Sequence, residues 1–570
     1  MSHLRNVRVN YSGRWSGIIK AVLSLITGCF WAISLPAQQS TNDLPSVDLT
    51  LRGYLQRVMQ YNQTVQAQMV DALAQTYKVK SARGIFEPQF DTTISMEADK
   101  RLNNAEQQAQ DGSNPTYEDK NIIYGGNLDM LTPIGTKVQL GATMSDLENN
   151  INPNGLLSTY TYPRQYQTFA GLTLTQPLLK NAGLTPIMAD IRLAALDSKI
   201  AFQEYRRQLM LTIYQAQVAY WNLYFAQQQI QFFDDSVSAA KEVLNDSQEK
   251  LKAGQGAQLD VMEAQSALAL RNTKRNDAVQ NYYDALGHLQ VLAGVSPDPT
   301  RPASGSPMFR AVDDPQTSNS PPSYADTYED GFTLNPDYLI QQEKMNQERL
   351  RLGVAKNQLL PELDLKAAYG FNGLATNDPI ASWNNLDSQG YVSWSAGLEL
   401  IIPLGGNIKG RNDLKGARLH LQEAYINLKG VETEMANSLS TSIQKARAWQ
   451  QSIQSYQSVV DYNQVLYQTQ LARLKAGTVQ AQSVLDAEAD WLDSRQDLAG
   501  ALSQYHQTLL QIELADGALL EHYNLEISQK ELQQQTEAML ENNQNYSVPK
   551  IPPAPDEFPP MPPPSKDFPN

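Results

Sequence analysis

Cysteine is almost absent: Cys29 is the only one in 570 residues. That excludes a disulfide framework and a thiolate metal site. The five histidines (His3, His288, His420, His506, His522) form no ligand-spaced cluster. Positive charge is scarce, with 45 Lys and Arg against 60 Asp and Glu and a formal net charge of −15. Phosphate binding needs clustered Lys and Arg, so nucleic acid is not an expected partner. Beyond the N-terminus no apolar run is long enough for a membrane helix. No nucleophile–base pairing or phosphate loop is visible. Gly254-Gln255-Gly256 fails the dinucleotide pattern because Leu259 stands where its third glycine belongs. Neither an enzyme nor a cofactor is expected.

The N-terminus is basic from Arg5 to Lys20 and apolar from Ala21 to Leu35, too short to span a bilayer comfortably. It predicts a secretory signal, residues 1–37, with cleavage after Leu35-Pro36-Ala37. Ile26-Thr27-Gly28-Cys29 offers a second reading, a lipobox that would leave Cys29 lipidated.

What the chain does have is repetition. Lys250-Leu251-Lys252-Ala253-Gly254 returns as Arg473-Leu474-Lys475-Ala476-Gly477, 223 positions on. Each copy interrupts a long Ala- and Gln-rich helical pattern at a glycine that can end one helix in the left-handed region. Each is the tip of a predicted helical hairpin. The long arms, about Pro186–Ala253 and Lys409–Ala476, would each be roughly 100 Å long. Pro88 and Pro361 stand 273 positions apart, as do Asn62 and Asn335. The spacing predicts a first repeat (38–296), a linker (297–330), a second repeat (331–524) and a polar, Pro-rich tail (525–570).

Between the helices the periodicity changes to two. Apolar and polar residues alternate over 88–99, 121–131, 136–145 and 165–176 in the first repeat, and over 361–371 and 390–402 in the second. Phe90, Ile94 and Met96 share one face; Asp91, Thr93 and Ser95 share the other. An apolar-out, polar-in closed barrel is the sheet that can span lipid. One chain has too few strands for a wide pore, so several chains must share it. The fold class expected is α+β: duplicated long helical hairpins forming a tunnel, plus strands contributed to a shared transmembrane β-barrel.

Several pieces carry a resemblance: Thr175-Gln176-Pro177-Leu178-Leu179, Ala219-Tyr220-Trp221-Asn222-Leu223, Leu251-Lys252-Ala253-Gly254, Leu259-Asp260-Val261 and Asn335-Pro336-Asp337. In this duplicated order the chain resembles the TolC family of outer-membrane efflux ducts over about residues 48–520. The resemblance implies a homotrimer, a barrel in outer-membrane lipid and a helical tunnel across the periplasm. It further implies a narrow end facing a periplasmic adaptor and an inner-membrane pump, in tripartite efflux or type I secretion. A structural or adhesive coiled-coil envelope protein is the competing expectation; it leaves the strand alternation unexplained. There are three departures. The first half is longer between its strand-bounding prolines, the tail is extra, and the family's entrance lock falls here on Leu474 and Val479. The additional hairpin, about Ile122–Met144, permits six strands per chain and an eighteen-stranded trimeric barrel. The alternative is a hairpin standing off the rim of a twelve-stranded one.

The site expectations follow from the tips. Ala253, Gly254, Ala476 and Gly477 are expected to dock the adaptor. The resemblance implies that the second-half helices form the inner pair at the narrow end, so Asp260 and Glu263 are expected on the outer hairpin, bonding neighbours. Asp486, which takes the place of Glu263 in the second half, is expected to form a ring of three carboxylates at the narrow end. Glu488, on another face of that helix, is expected to be a neutral control.

Overall fold

The computed structural model describes residues 46–110, 115–150, 164–295, 308–313, 315, 320–376, 378–388 and 390–542. The signal segment, Cys29 and the Pro-rich stretch from Val548 lie outside them. β1 (Ser46–Leu49) leads into α1 (Leu51–Tyr61) and α2 (Gln63–Ala82). Then come β2 (Gln89–Leu102), a short α3 (Ala105–Gln110), β3 (Thr116–Leu131), β4 (Lys137–Asn149) and β5 (Gln165–Pro177). A single turn, α4 (Leu184–Ile187), opens onto the hairpin of α5 (Ala189–Lys252) and α6 (Gln258–Leu292). The second half runs β6 (Met308–Ala311), α7 (Tyr324–Leu334), α8 (Pro336–Gln358), β7 (Glu362–Thr376), α9 (Pro379–Asn384) and β8 (Val392–Ile401). It closes with α10 (Ile408–Lys475), α11 (Ala481–Asp516), α12 (Leu519–His522) and α13 (Gln529–Asn542).

At 64 and 68 residues, α5 and α10 are each roughly 100 Å long. Their shorter return helices are extended end to end by other helices, and one asparagine makes each joint. Asn62 accepts from the Thr64 and Val65 amides as N-cap of α2, while its Nδ2 donates to the Leu292 carbonyl that ends α6, at 3.1 Å. Asn335 repeats this in the second half: it accepts from Tyr338 N–H and donates to the Ala515 carbonyl at 2.8 Å. The orphan groups of two helix ends thus satisfy one another. Gly294 and Gly517 admit the close approach, at φ of +66° and +88°. A Cβ there would meet the Tyr61 carbonyl oxygen or the Leu334 backbone at 2.4–2.6 Å.

The main core lies midway along α5, where Tyr54, Leu55, Leu209, Ile213, Tyr220, Leu223, Leu289 and Leu519 are all but fully buried. A small collar wraps it. β1 and β6 pair in parallel, and the Tyr220 hydroxyl accepts from the Val312 and Asp313 amides and donates to the Leu49 carbonyl. β6 and the start of α7 fall in the stretch the sequence assigns to a linker. α13 falls in the expected tail; it is a helix that packs on α2, with Tyr77 donating to Glu537 at 3.0 Å.

The strands form one antiparallel sheet in the order β2-β3-β4-β5-β7-β8. The extra hairpin, β3–β4, is part of it.

Candidate functional site

Two ends of the chain carry the chemistry. At the sheet end, register decides the reading. Phe90 lies opposite Leu128, Leu128 opposite Leu140, Leu140 opposite Leu172, Leu172 opposite Tyr369, and Tyr369 opposite Trp394. One apolar row therefore crosses all six strands. Another runs through Val138, Leu174, Ala367 and Ala396. This face is not folded onto a core of its own, since Phe90 is 72% and Trp394 75% exposed. The opposite face carries Asp91 beside Asn127, Asp129 beside Gln139, and Asp364 beside Glu399. A one-residue slip anywhere would have broken both faces.

At the far end, each long helix stops in the same way. The Gly254 amide donates to Leu251 and the Gln255 amide to Lys250; the Gly477 amide donates to Leu474 and the Thr478 amide to Arg473. This double hydrogen bond needs a left-handed residue after the helix. Gly254 and Gly477 have φ of +73° and +74°, with open space where a Cβ would be. Backbone conformation, not crowding, requires glycine here. Ala253, Gly254, Ala476 and Gly477 are all exposed.

The two tips are clasped together. Lys250 Nζ donates to the Leu474 carbonyl at 2.7 Å, and Lys475 lies 2.9 Å from Glu242. Beneath them Val243, Ala264, Leu474, Ala481, Val484 and Leu485 form a small apolar core, with Val479 against it. Leu474 and Val479, where the resemblance places the entrance lock, are thus apolar packing. Further along, Arg271 of α6 donates through Nε to Glu488 of α11 at 2.8 Å, and through its other nitrogens to the Leu485 and Ala267 carbonyls. Both side chains are buried, 9% and 4% exposed. Arg495 of α11 reaches Asp235 of α5 at 3.1 Å and lies over the Phe232 ring.

The expected residues fare unequally. Asp260 accepts from the Ala257 amide at 3.2 Å and so caps α6. Glu263 is half-buried one turn on. Asp486 is exposed and accepts from Gln482 Nε2 at 2.7 Å. Glu488 corrects its expectation: it is a buried ion-pair partner, not a neutral position. The signal was available, because Leu485, Glu488, Leu492 and Arg495 fall on one heptad stripe, and a charge in an apolar stripe implies a buried partner. Among the described residues no group of three His, Cys, Asp or Glu side chains could hold a metal.

A third set of charges lies at the collar. Burial pushes Glu513 up to about 7. Asp516 is likewise pushed up to about 7, by burial first and then by the nearby charges of Glu513 and Asp330. His522 Nδ1 lies 3.3 Å from Glu513, and Asp516 accepts from the Ala518 amide at 2.8 Å.

Comparison with known proteins agrees with this geometry. Residues 334–518 match the model of the outer membrane efflux protein family. The chain is 23% identical over 386 residues to the proteases secretion protein PrtF of Dickeya chrysanthemi, covering 65% of this chain and 77% of that one. It is 25% identical over 403 residues to outer membrane protein TolC of Escherichia coli, covering 64% and 74%. Among solved structures it resembles the outer-membrane channel OprN with a TM-score of 0.58 at 16% identity, covering 82% of this chain and 89% of that one. The Campylobacter jejuni CmeC channel gives a TM-score of 0.57 at 16% identity, covering 85% and 89%. Residues 334–518 thus carry an outer membrane efflux protein domain, and the chain as a whole resembles these outer-membrane channels in sequence and in fold.

Proposed function

We propose that the chain is the outer-membrane exit duct of a tripartite efflux or type I secretion system, a passive conduit from periplasm to exterior. One observation carries this reading: a sheet with a single continuous apolar face, fused to helical hairpins roughly 100 Å long. An exposed apolar sheet face is stable in lipid and not in water. Three copies would close the barrel and stand their hairpins side by side as a tunnel. The tips at Gly254 and Gly477 then face the inner membrane, where a periplasmic adaptor and a pump would engage Ala253 and Ala476. Asp486 faces the lumen near the narrow end, three copies making one ring of carboxylates. The clasp between the tips is the closed state of that entrance, and transport needs it to open. Membrane fractionation and conductance in planar bilayers test the reading. A detergent-stable trimer that conducts is expected; a soluble monomer without conductance overturns it.

A further inference from the structure

The wall of the barrel holds more strands than two per repeat would supply. Resting on the conduit reading, we propose that β2 of one copy pairs antiparallel with β8 of the next. Three chains then close an eighteen-stranded barrel, an exit sized for polypeptide cargo.

Four observations carry this. First, β3–β4 lies inside the sheet. β3 pairs along its whole length with β2, from Gln89–Asp129 to Leu102–Thr116, and β4 pairs with β5 from Lys137–Thr175 to Leu147–Gln165. Second, its outward residues, Leu128 and Leu140, complete the apolar row between Phe90 and Leu172. A hairpin standing off the rim would have no reason to keep that parity. Third, its turn is anchored where the strands meet the helices. The Gly183 amide donates to the Ile134 carbonyl at 3.3 Å, and Thr136 Oγ1 donates to Gln176. Gly135, at φ +93°, faces the Asn181 carbonyl, which a Cβ would meet at 3.0 Å.

Fourth, both edges are bare. Every residue of β2 and of β8 is exposed, and each strand keeps its apolar side chains on the lipid-facing side: Phe90, Ile94 and Met96 on one edge, Trp394, Leu398 and Leu400 on the other. Unpaired backbone is not tolerated in hydrocarbon. Because the sheet has an even number of alternating strands, β8 runs opposite to β2, so the contact between copies is antiparallel like every contact within one copy.

The width follows from spacing and tilt. Eighteen strands about 4.8 Å apart, tilted about 40°, give a barrel about 36 Å across between backbones, against about 24 Å for twelve. The inward face is thin in places. Gly141, Gly171 and Gly370 stand side by side, and the Phe169 ring lies flat over the last two. A single helix is about 10–12 Å wide, so allowing roughly 5 Å of side chain on each wall, the wider barrel admits a pair of helices and the narrower only one. Beyond Phe169 and its neighbours the lining is mainly polar and acidic, with Asp91, Asn127, Asp129, Gln139, Asp364 and Glu399, and offers an unfolded or partly helical chain few apolar places to stick.

The test uses the full-length trimer in lipid nanodiscs. Electron cryomicroscopy should count eighteen strands. Leu128→Cys and Leu140→Cys should each react with a lipid-phase maleimide. Deleting residues 115–150 joins the two outer loops and leaves four strands per chain. In bilayers the deletion should lower the size of polyethylene glycol that enters from the outer side. A conducting trimer with twelve strands in its wall, with both cysteines unreactive to the lipid-phase probe, overturns this inference and leaves the conduit intact. Failure of the trimer to conduct at all overturns the conduit itself. If the deletion variant fails to fold, strand count and labelling in the intact chain still decide.

Discussion

Glu488→Gln is the sharpest perturbation of the entrance. It keeps the shape of the side chain but removes the charge against which Arg271 is buried. The guanidinium is left with the Leu485 and Ala267 carbonyls. Breaking a buried pair by neutralising one partner costs about 3–5 kcal/mol, because the other charge stays desolvated. Opening the tips hydrates Arg271, so that cost falls on the closed state alone. At about 1.4 kcal/mol per tenfold, the open population per chain should rise on the order of 10²- to 10³-fold. Purified trimers in planar bilayers should become more conductive, and the α11 amides near residues 484–495 should exchange faster. Arg271→Met combined with Glu488→Leu replaces both charges with apolar groups, which is close to neutral. That double variant should return to wild-type conductance. The Lys475–Glu242 pair, 57% and 50% exposed, contributes little and is screened by salt, so 1 M NaCl should leave α11 protection nearly intact. Wild-type conductance from Glu488→Gln, or a double variant as leaky as the single, would refute the clasp.

Other outcomes are equally specific. Glu513 and Asp516 have their pKa values raised, so the neutral acids favour the fold; that contribution is full below about pH 4 and is lost as pH rises through about 7. The trimer should therefore melt lower at pH 8.5 than at pH 6, and Asp516→Asn should reduce that difference without disturbing the Ala518 contact side. Ala253→Trp or Ala476→Trp should abolish export while trimer yield in the outer membrane stays normal; full export would remove the tips from the docking surface. Asp486→Asn should weaken cation selectivity and divalent block in bilayers at unchanged trimer yield, and unchanged selectivity would end the ring.

Much of the fold was legible because its signals are local. Alternation gave the lipid-facing parity of Phe90, Leu128, Leu140, Leu172 and Trp394, since a strand's faces follow from sequence period alone. The left-handed glycines marked both tips, and Asn62 marked a helix break. What alternation could not give was the sheet order that puts β3–β4 inside the sheet. That depends on β2 pairing along β3 and β4 along β5, and on the β5–β7 ladder, far apart in sequence, that joins this meander to the second half. The clasp was missed for the same reason. Arg271 and Glu488 are 217 residues apart, and only their shared burial makes them partners. β6 was hidden because four residues in a Pro- and Ser-rich stretch carry too little periodicity to stand out, and α13 because its polar face dominates its composition.

The ladder between β5 and β7 also sets a timetable. Leu172 meets Tyr369, nearly two hundred residues later in the chain. At about 5–20 residues per second, synthesis of the intervening stretch takes roughly 10–40 s. Throughout that interval β5 is a bare edge on a four-stranded meander with a greasy face, the kind of surface that recruits other nascent chains. The first half cannot be finished before the second is made, and in the proposed trimer neither is closed before two further copies arrive. Such a chain must be held apart from its neighbours until it reaches the membrane. Truncation anywhere before β8 leaves a sheet that has no way to close.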